Sequence, residues 1–381
     1  MRAKWEEPSK PHRPRPGRRA ATLPPAARPL ATWLIATVLF PPTSAVSAGP
    51  ADRPALERFE FSGVEMAVPV KIVLYASDRP VAEAAAEAAL RRIRELNGIL
   101  SDYDSASELR RLGDRSEPGK PVAVSDELWR VLSHAQSLSE RSSGAFDVTV
   151  GPVVRLWRRA RRRERLPSPE RLKSARKLVG YQLVRLHPES RSVELLKPGM
   201  RLDLGGIAKG YAVDAALDTL RKNGVTRALV DAGGDIRLGA PPPDRPGWLI
   251  GVAALEADAP PSRYLWLADR AIATSGDTWQ YVEIEGRRYS HLVDPRTGIG
   301  LTDHSSVTVV ARDGITADGL ASAVSVLGPE KGLKLIEDTP DTVAFIVRAP
   351  GGHVEVFESS RWKDLPVARP EPKGPVRPPI P

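Results

Sequence analysis

The sequence predicts an α+β fold, with sheets and helices mixed along the chain, and three observations carry that expectation. Phe59 to Ala76 shows a partly alternating apolar pattern with Val68, Val70, Ile72 and Leu74 on one side, the period-two signature of a strand or hairpin. Val81 to Leu96 follows Pro80 and places Ala85, Ala89, Ile93 and Leu96 at helical spacing, which reads as an amphipathic helix. From Leu202 onward both patterns recur: a helix near Ile207–Asn223 and strands near Arg227–Val230 and Trp248–Ala254. Hairpin-like segments run through Tyr281–Val293, then a buried strand at Val307–Ala311 and a helix at Ala317–Leu327.

In chain order, residues 1–48 open with a basic, Pro-rich stretch ending at Arg28. The apolar run Leu30–Phe40 and the small residues Val46-Ser47-Ala48 come next. This is the layout of a secretory signal peptide cleaved after Ala48. The run is shorter than the ~20 residues a helix needs to cross a bilayer, so export is expected, with inner-membrane association only if the segment stays uncleaved. Residues 49–58 read as a linker and 59–362 as the folded domain. Residues 363–381, rich in proline, read as a disordered or extended tail.

The formal charge of +9 invites a nucleic-acid reading, yet residues 1–48 alone carry eight Lys or Arg and two Glu, a net +6 that leaves only +3 elsewhere. Between Arg155 and Lys173 nine basic and two acidic side chains follow one another. They read as a solvated helix face and loop, with contact to anionic lipid or an acidic partner as the alternative. Trp157 is the one aromatic interleaved in the run, which with export argues against nucleic acid. The chain has no cysteine, so disulfides, thiolate catalysis, Cys-based metal sites and lipid attachment at a lipobox cysteine are excluded.

Four segments set Gly beside carboxylates, hydroxyls and a His: Ser142-Ser-Gly-Ala-Phe-Asp147, Asp203-Leu-Gly-Gly-Ile-Ala-Lys-Gly-Tyr211, Thr274-Ser-Gly-Asp277 and His291-Leu-Val-Asp-Pro-Arg-Thr-Gly298. Gly205 and Gly206 precede a helix start, where free N–H groups and the dipole suit a phosphate and Lys209 adds a charge. A tight strand-to-helix turn with a solvated lysine explains the same residues. Neither G-x-G-x-x-G nor G-x-x-x-x-G-K-[ST] is present. Asp318 and Ser322 lie four apart, on one helix face, and offer hard oxygens that suit Mg²⁺; a helix-end carboxylate with a packing serine is the plainer account. His291 is one of six histidines, and its ordinary pKa near 6.5 makes it a workable proton acceptor.

Order and spacing say more than any single segment. Ser101-Asp-Tyr-Asp-Ser-Ala-Ser-Glu-Leu109, Gly144–Pro152 with Leu156-Trp157, Asp203–Asp214, Gly233-Gly-Asp235, Thr274–Asp277, His291–Gly298 and Ala317-Asp318 together resemble the ApbE family of FAD:protein FMN transferases, from about Phe59 to Glu337. The resemblance implies an α+β flavinyltransferase with an FAD-binding cleft. It would move the FMN half of FAD onto a Thr or Ser hydroxyl of an exported, periplasmic or otherwise extracytoplasmic acceptor, releasing AMP. By motif position it places Met66, Tyr103, Ala145, Phe146, Asp147, Asp203, Lys209 and Leu292 around FAD. Mg²⁺ would be held by Gly206 through its carbonyl, Asp318, Ala321 by backbone, and Ser322. In that scheme His291 is the base, Asp294 its orienting partner, and Lys209 offsets charge. The family's usual Met-Gly-Thr is Met66-Ala67-Val68 here, and Ser322 replaces the commoner Thr. Two rivals follow: an FAD pyrophosphatase with water as acceptor, and a flavin-binding protein without catalysis. A serine hydrolase built on Ser275 lacks the G-x-S-x-G elbow.

Overall fold

The computed structural model describes residues 55–368 apart from 257 and 279. The leader expected at 1–48, most of the linker and residues 369–381 of the Pro-rich tail lie outside the described residues. The start of that tail, 363–368, is ordered rather than loose: the Trp266 N–H donates to the Pro366 carbonyl at 2.9 Å, the Ala368 N–H to the Tyr264 carbonyl at 2.8 Å, and Ala368 is buried. The stretch Val68–Ala76 is one arm of a hairpin: β1 (Glu57–Glu65) pairs antiparallel with β2 (Val68–Ala76), Glu65 opposite Val68. The loop is therefore Met66-Ala67, and both residues adopt left-handed backbone, φ 51° and 61°. Two-residue hairpins favour that conformation because its twist matches the strands, and Gly is the residue that adopts it without strain.

Six further strands extend the sheet: β3 (Ala228–Ala232), β4 (Asp235–Leu238), β5 (Ala271–Gly276), β6 (Ser305–Ala311), β7 (Val343–Arg348) and β8 (Glu355–Glu358). Their spatial order is their sequence order, and every neighbouring pair is antiparallel. Everything else is inserted between these strands. The β2–β3 connection holds α1 (Arg79–Leu100), α2 (Glu108–Arg115), α3 (Asp126–Arg141), α4 (Gly151–Arg163), α5 (Pro169–Arg176) and α6 (Ala208–Lys222). It also holds a small sheet of Val122–Ala123, Val184–His187 and Ser192–Leu195. Between β4 and β5 runs the hairpin Trp248–Val252 with Arg263–Leu267, and between β5 and β6 the hairpin Tyr281–Ile284 with Arg287–Ser290. The β6–β7 connection is α7 (Gly314–Glu337), broken at Gly328, φ 74°, ahead of Pro329.

Strand alternation divides the core. Ile72, Leu74, Val307, Val309 and Ile346 face α1, α6 and α7, whereas Val73, Val310, Phe345 and Val347 face the Trp248 hairpin and Trp362. Helix α1 begins where Asp78 accepts the Val81 N–H at 2.9 Å and Pro80 stands in the first turn, the usual N-terminal chemistry. Its stripe of Ala82, Ala85, Ala86, Ala89, Ile93 and Leu96 is buried. A third cluster joins Val153, Trp157 and Ala160 of α4 to Ile284, Tyr289 and Val293. Among the described residues no helix is long and apolar enough to cross a membrane.

Candidate active site

Helices α6 and α7 cross at two glycines. A Cβ on Gly210 would lie 2.1 Å from the Gly314 carbonyl oxygen and 2.7 Å from Asp318 Cβ, so the backbones touch and Asp318 is pressed into the start of α6. There Asp318 Oδ2 accepts the Gly210 N–H at 3.0 Å. In a regular helix that N–H would bond the carbonyl of Gly206, and among the described residues no N–H takes its place there. The Gly206 carbonyl is thus left available beside Ser322, whose Oγ lies 2.8 Å from where a Gly206 Cβ would be. Asp318 is 2 % exposed and forms no ion pair among the described residues; burial raises its pKa, while the Lys209 charge and the Gly210 N–H draw it down.

This corner fits a small hard cation. It combines a buried carboxylate with no ion pair among the described residues, a hydroxyl and a bare carbonyl, and Mg²⁺ binds such oxygens while keeping waters or substrate phosphates. Among the described residues no three His, Cys, Asp or Glu side chains cluster, so a carboxylate-rich site is not the alternative. Ala321 fits less well. Its carbonyl already accepts the Ser325 hydroxyl at 2.8 Å, so part of its acceptor capacity is taken where that of Gly206 is not. Ser275 Oγ lies 3.4 Å from Ser322 Oγ, a hydroxyl neighbour where a nucleophilic serine would need a base.

Lys209 leaves the first turn of α6 and pairs through Nζ with Asp235 Oδ2, a carboxylate 3 % exposed. Asp235 opens β4 just after the turn Gly233-Gly234, both at positive φ. Sequence reasoning did not assign Asp235 a role, although Gly233-Gly-Asp235 marked its position. A Cβ on Gly233 would meet Val68 Cβ at 3.0 Å, so the tip of the β1–β2 hairpin, with Met66, sits against the turn that anchors Lys209.

Asp203 accepts the Gly205 N–H at 2.9 Å and Arg158 Nη2 at 2.8 Å, and Arg158 also pairs with Asp102. Burial, with Asp102 adding to it, pushes Asp203 up to about 6. The Arg158 guanidinium lies 3.9 Å from the centroid of the Tyr103 ring. Tyr103 itself is 74 % exposed, so its other face is open to stack on a planar ligand. Neither Arg158 nor Asp102 was assigned a role, although Asp102 adjoins Tyr103 in the motif Ser101–Leu109; nothing in the sequence joins Arg158 to either carboxylate.

The segment Ser142–Asp147 turns the chain between α3 and α4, with Ser143 and Gly144 at positive φ. Ala145 and Phe146 are buried, and the Phe146 ring packs 3.4 Å from the Gly206 Cβ position, which sets it beside the oxygen-rich corner. Asp147 accepts from Thr149 N–H at 2.8 Å and Thr149 Oγ1 at 2.6 Å, and burial raises its pKa. It lines a cleft of about 210 Å³ together with Gly144, Gly180, Tyr181, Pro295 and Arg296.

His291 leaves the end of the Tyr281–Ser290 hairpin. Its backbone N–H and its Nδ1 both face the Gln280 carbonyl, at 3.0 and 3.1 Å. A carbonyl only accepts, so Nδ1 carries the proton and Nε2 is the free base. Burial pushes the imidazole down to about 4, and the charges of Arg161 and Lys209 push the same way. Asp294 does not orient it. The carboxylate is forked onto Arg296, Nε and Nη2 each at 2.9 Å, and takes the Arg296 N–H at 2.9 Å, a turn closure two residues long that outcompetes any reach back to His291. The orienting role expected of Asp294 belongs to the Gln280 carbonyl. Leu292 follows with both backbone groups bonded, to Ser290 Oγ at 3.1 Å and Leu301 N at 2.9 Å, leaving its side chain as its contact.

The basic run of α4 divides. Arg155, Arg159, Arg162 and Arg163 are exposed, while Arg158 and Arg161 turn inward.

A hard-oxygen corner, an anchored lysine and a neutral imidazole on an α+β frame are parts that suit an enzyme acting on a phosphate-bearing substrate. Comparison with known proteins gives the family. The ApbE family model matches residues 66–347. A FAD:protein FMN transferase of Vibrio cholerae is 35 % identical over 274 residues, 71 % of this chain and 81 % of that protein. One from Haemophilus influenzae is 33 % identical over 280 residues, 72 % and 81 % of the two chains. The solved structure of the flavin transferase ApbE from Vibrio cholerae superposes with a TM-score of 0.73 at 30 % identity, covering 81 % of this chain and 99 % of that one. The ApbE protein of Thermotoga maritima gives 0.72 at 32 % identity with the same coverage. The protein belongs to the ApbE family.

Proposed function

We propose that this protein transfers the FMN half of FAD to a Thr or Ser hydroxyl of an exported acceptor protein and releases AMP. The observation that carries the reading is the convergence of Asp318, Ser322 and the bare Gly206 carbonyl beside Lys209, in a chain whose relatives are FAD:protein FMN transferases. Mg²⁺, when bound there, would neutralise pyrophosphate charge and hold its oxygens. Tyr103 offers its open face to the flavin. His291 Nε2, kept neutral by burial, takes the proton of the acceptor hydroxyl. The hydroxyl oxygen bonds to the phosphorus of the FMN half, the bond to the AMP phosphate oxygen breaks, and AMP leaves with that electron pair. Lys209, its position fixed by Asp235, offsets the charge that grows on the phosphate oxygens.

AMP release from FAD against Mg²⁺ concentration tests the site. Asp318→Asn removes the only carboxylate of the corner and should abolish metal-dependent release, whereas Ser322→Ala should keep partial activity with a raised Mg²⁺ requirement. An unchanged curve for Asp318→Asn would remove this aspartate, and most of the scheme, from the reaction.

A further inference from the structure

The inward half of the basic run is not used up by the site above. Trp157 fixes α4 against the loop that carries His291: its Nε1 donates to the Gly298 carbonyl at 2.8 Å, and its ring lies 5.1 Å from that of Tyr289. Arg161 stands four residues on from that anchor and three on from Arg158, so it shares their face of the helix. Unlike Arg162 and Arg163 beyond it, it is half-buried.

Its surroundings are the wrong sign for a resting guanidinium. Arg158 is matched by Asp102 and Asp203, but the Arg161 side chain has no ion pair or hydrogen bond with any described residue. Burial lowers its pKa and the neighbouring Arg158 charge adds to the effect, while Tyr103 opposes it. The Arg161 charge in turn reaches His291, as does that of Lys209. A half-buried cation beside a second cation, with no carboxylate of its own, bears a desolvation cost that an arriving anion would relieve.

We propose that Arg161 is a phosphate-binding residue of the cleft, its guanidinium fork taking the non-bridging oxygens of a phosphate of the flavin nucleotide. The planar fork matches phosphate bidentately. Arg158, one turn earlier on the same helix face, packs on Tyr103 and bonds Asp203, the residues assigned to the flavin-nucleotide cleft, so Arg161 stands beside that cleft, and its charge and that of Lys209 both reach His291. This inference rests on the flavin-nucleotide reading above, and it gives part of the basic run a role other than a solvated face.

The test is equilibrium binding of FAD, FMN, AMP and riboflavin to the wild-type chain and to Arg161→Gln, Arg161→Lys and Arg162→Gln. Hydrogen bonds to a charged group correspond to roughly a 10–100-fold change in affinity, so Arg161→Gln should weaken FAD by that factor. Riboflavin, which has no phosphate, should bind it as it binds the wild type. Arg161→Lys, which keeps the charge and loses the fork, should fall between, and the exposed Arg162→Gln should match the wild type. Loss confined to FAD and FMN assigns the flavin-side phosphate; loss confined to FAD and AMP assigns the adenylate side. Wild-type FAD affinity in Arg161→Gln overturns the proposal, and so does an equal loss of riboflavin, which would place the side chain against the ring. A wild-type chain that binds no flavin nucleotide would instead remove the functional reading, and this inference with it.

Discussion

Replacing Gly210 by Ala would insert a methyl group where α6 and α7 touch. The new carbon would stand 2.1 Å from the Gly314 oxygen, 2.5 Å from the Gly314 carbonyl carbon and 2.7 Å from Asp318 Cβ, all closer than carbon tolerates. Gly314 cannot step aside cheaply, because its N–H is held by Asp214 Oδ1 at 2.7 Å and the next N–H, of Ile315, by Asp214 Oδ2 at 3.0 Å. Overpacking a tight contact costs about 1–3 kcal/mol, and with backbone on the opposing side the upper end applies. At about 2.1 cal/mol/K of unfolding entropy per residue, ~3 kcal/mol in a folded domain of roughly 300 residues corresponds to a fall in Tm of about 5 °C. The same shift would part Asp318 from the Gly210 N–H, so the Mg²⁺ needed for half-maximal AMP release should rise. Thermal unfolding and a Mg²⁺ titration measure the two effects side by side. Gly98→Ala is the control: it lies inside α1 with nothing within 4 Å of the added carbon, and should gain about 0.5–1 kcal/mol. A Gly210→Ala protein that melts with the wild type and needs no more Mg²⁺ would refute the contact and the reasoning built on it.

Ala67→Gly should stabilise the protein by about 1 kcal/mol in urea denaturation, because Ala67 sits at φ 61° in the two-residue hairpin loop, where only Gly is unstrained; no gain would mean the loop carries no such strain. His291→Ala should cut turnover by roughly 10²–10⁴-fold with FAD affinity nearly unchanged. For the wild type, the imidazole is neutral above about pH 4 and loses its role as acceptor only as pH falls through that value, so the acid limb of kcat/KM should lie near 4; a limb near 6.5 would place His291 in water.

The strongly periodic elements were legible from the sequence. The strand or hairpin expected over Phe59–Ala76 is present, with its turn at Met66-Ala67 supplied only by the structure, and α1, α6 and the first part of α7 fall where spacing puts them, because each of these helices has one apolar face and a Gly or Pro boundary. The expectation left α3 unassigned although Leu128, Val131, Leu132, Ala135 and Leu138 recur at helical spacing. It also passed over β7, whose Val343-Ala-Phe-Ile-Val347 is buried on both faces and so has no alternation to betray a strand. In the site, the motifs gave roles to Lys209 and Asp203 but not to the residues that hold them. Lys209 and Asp235 are 26 residues apart, and Arg158 and Asp203 are 45 apart, and only the fold brings either pair together. Asp294 shows the opposite error. Nearness in sequence suggested a pairing with His291, and the shorter closure onto Arg296 took the carboxylate instead.

The central claim is covalent transfer of FMN, and tandem mass spectrometry of an acceptor protein incubated with this enzyme, FAD and Mg²⁺ tests it most directly. The account predicts an FMN-sized addition localised to one Thr or Ser hydroxyl, absent when that residue is replaced by Ala or valine and absent with Asp318→Asn. Free FMN and AMP formed at the same rate with an unmodified acceptor would contradict it and make the protein an FAD pyrophosphatase.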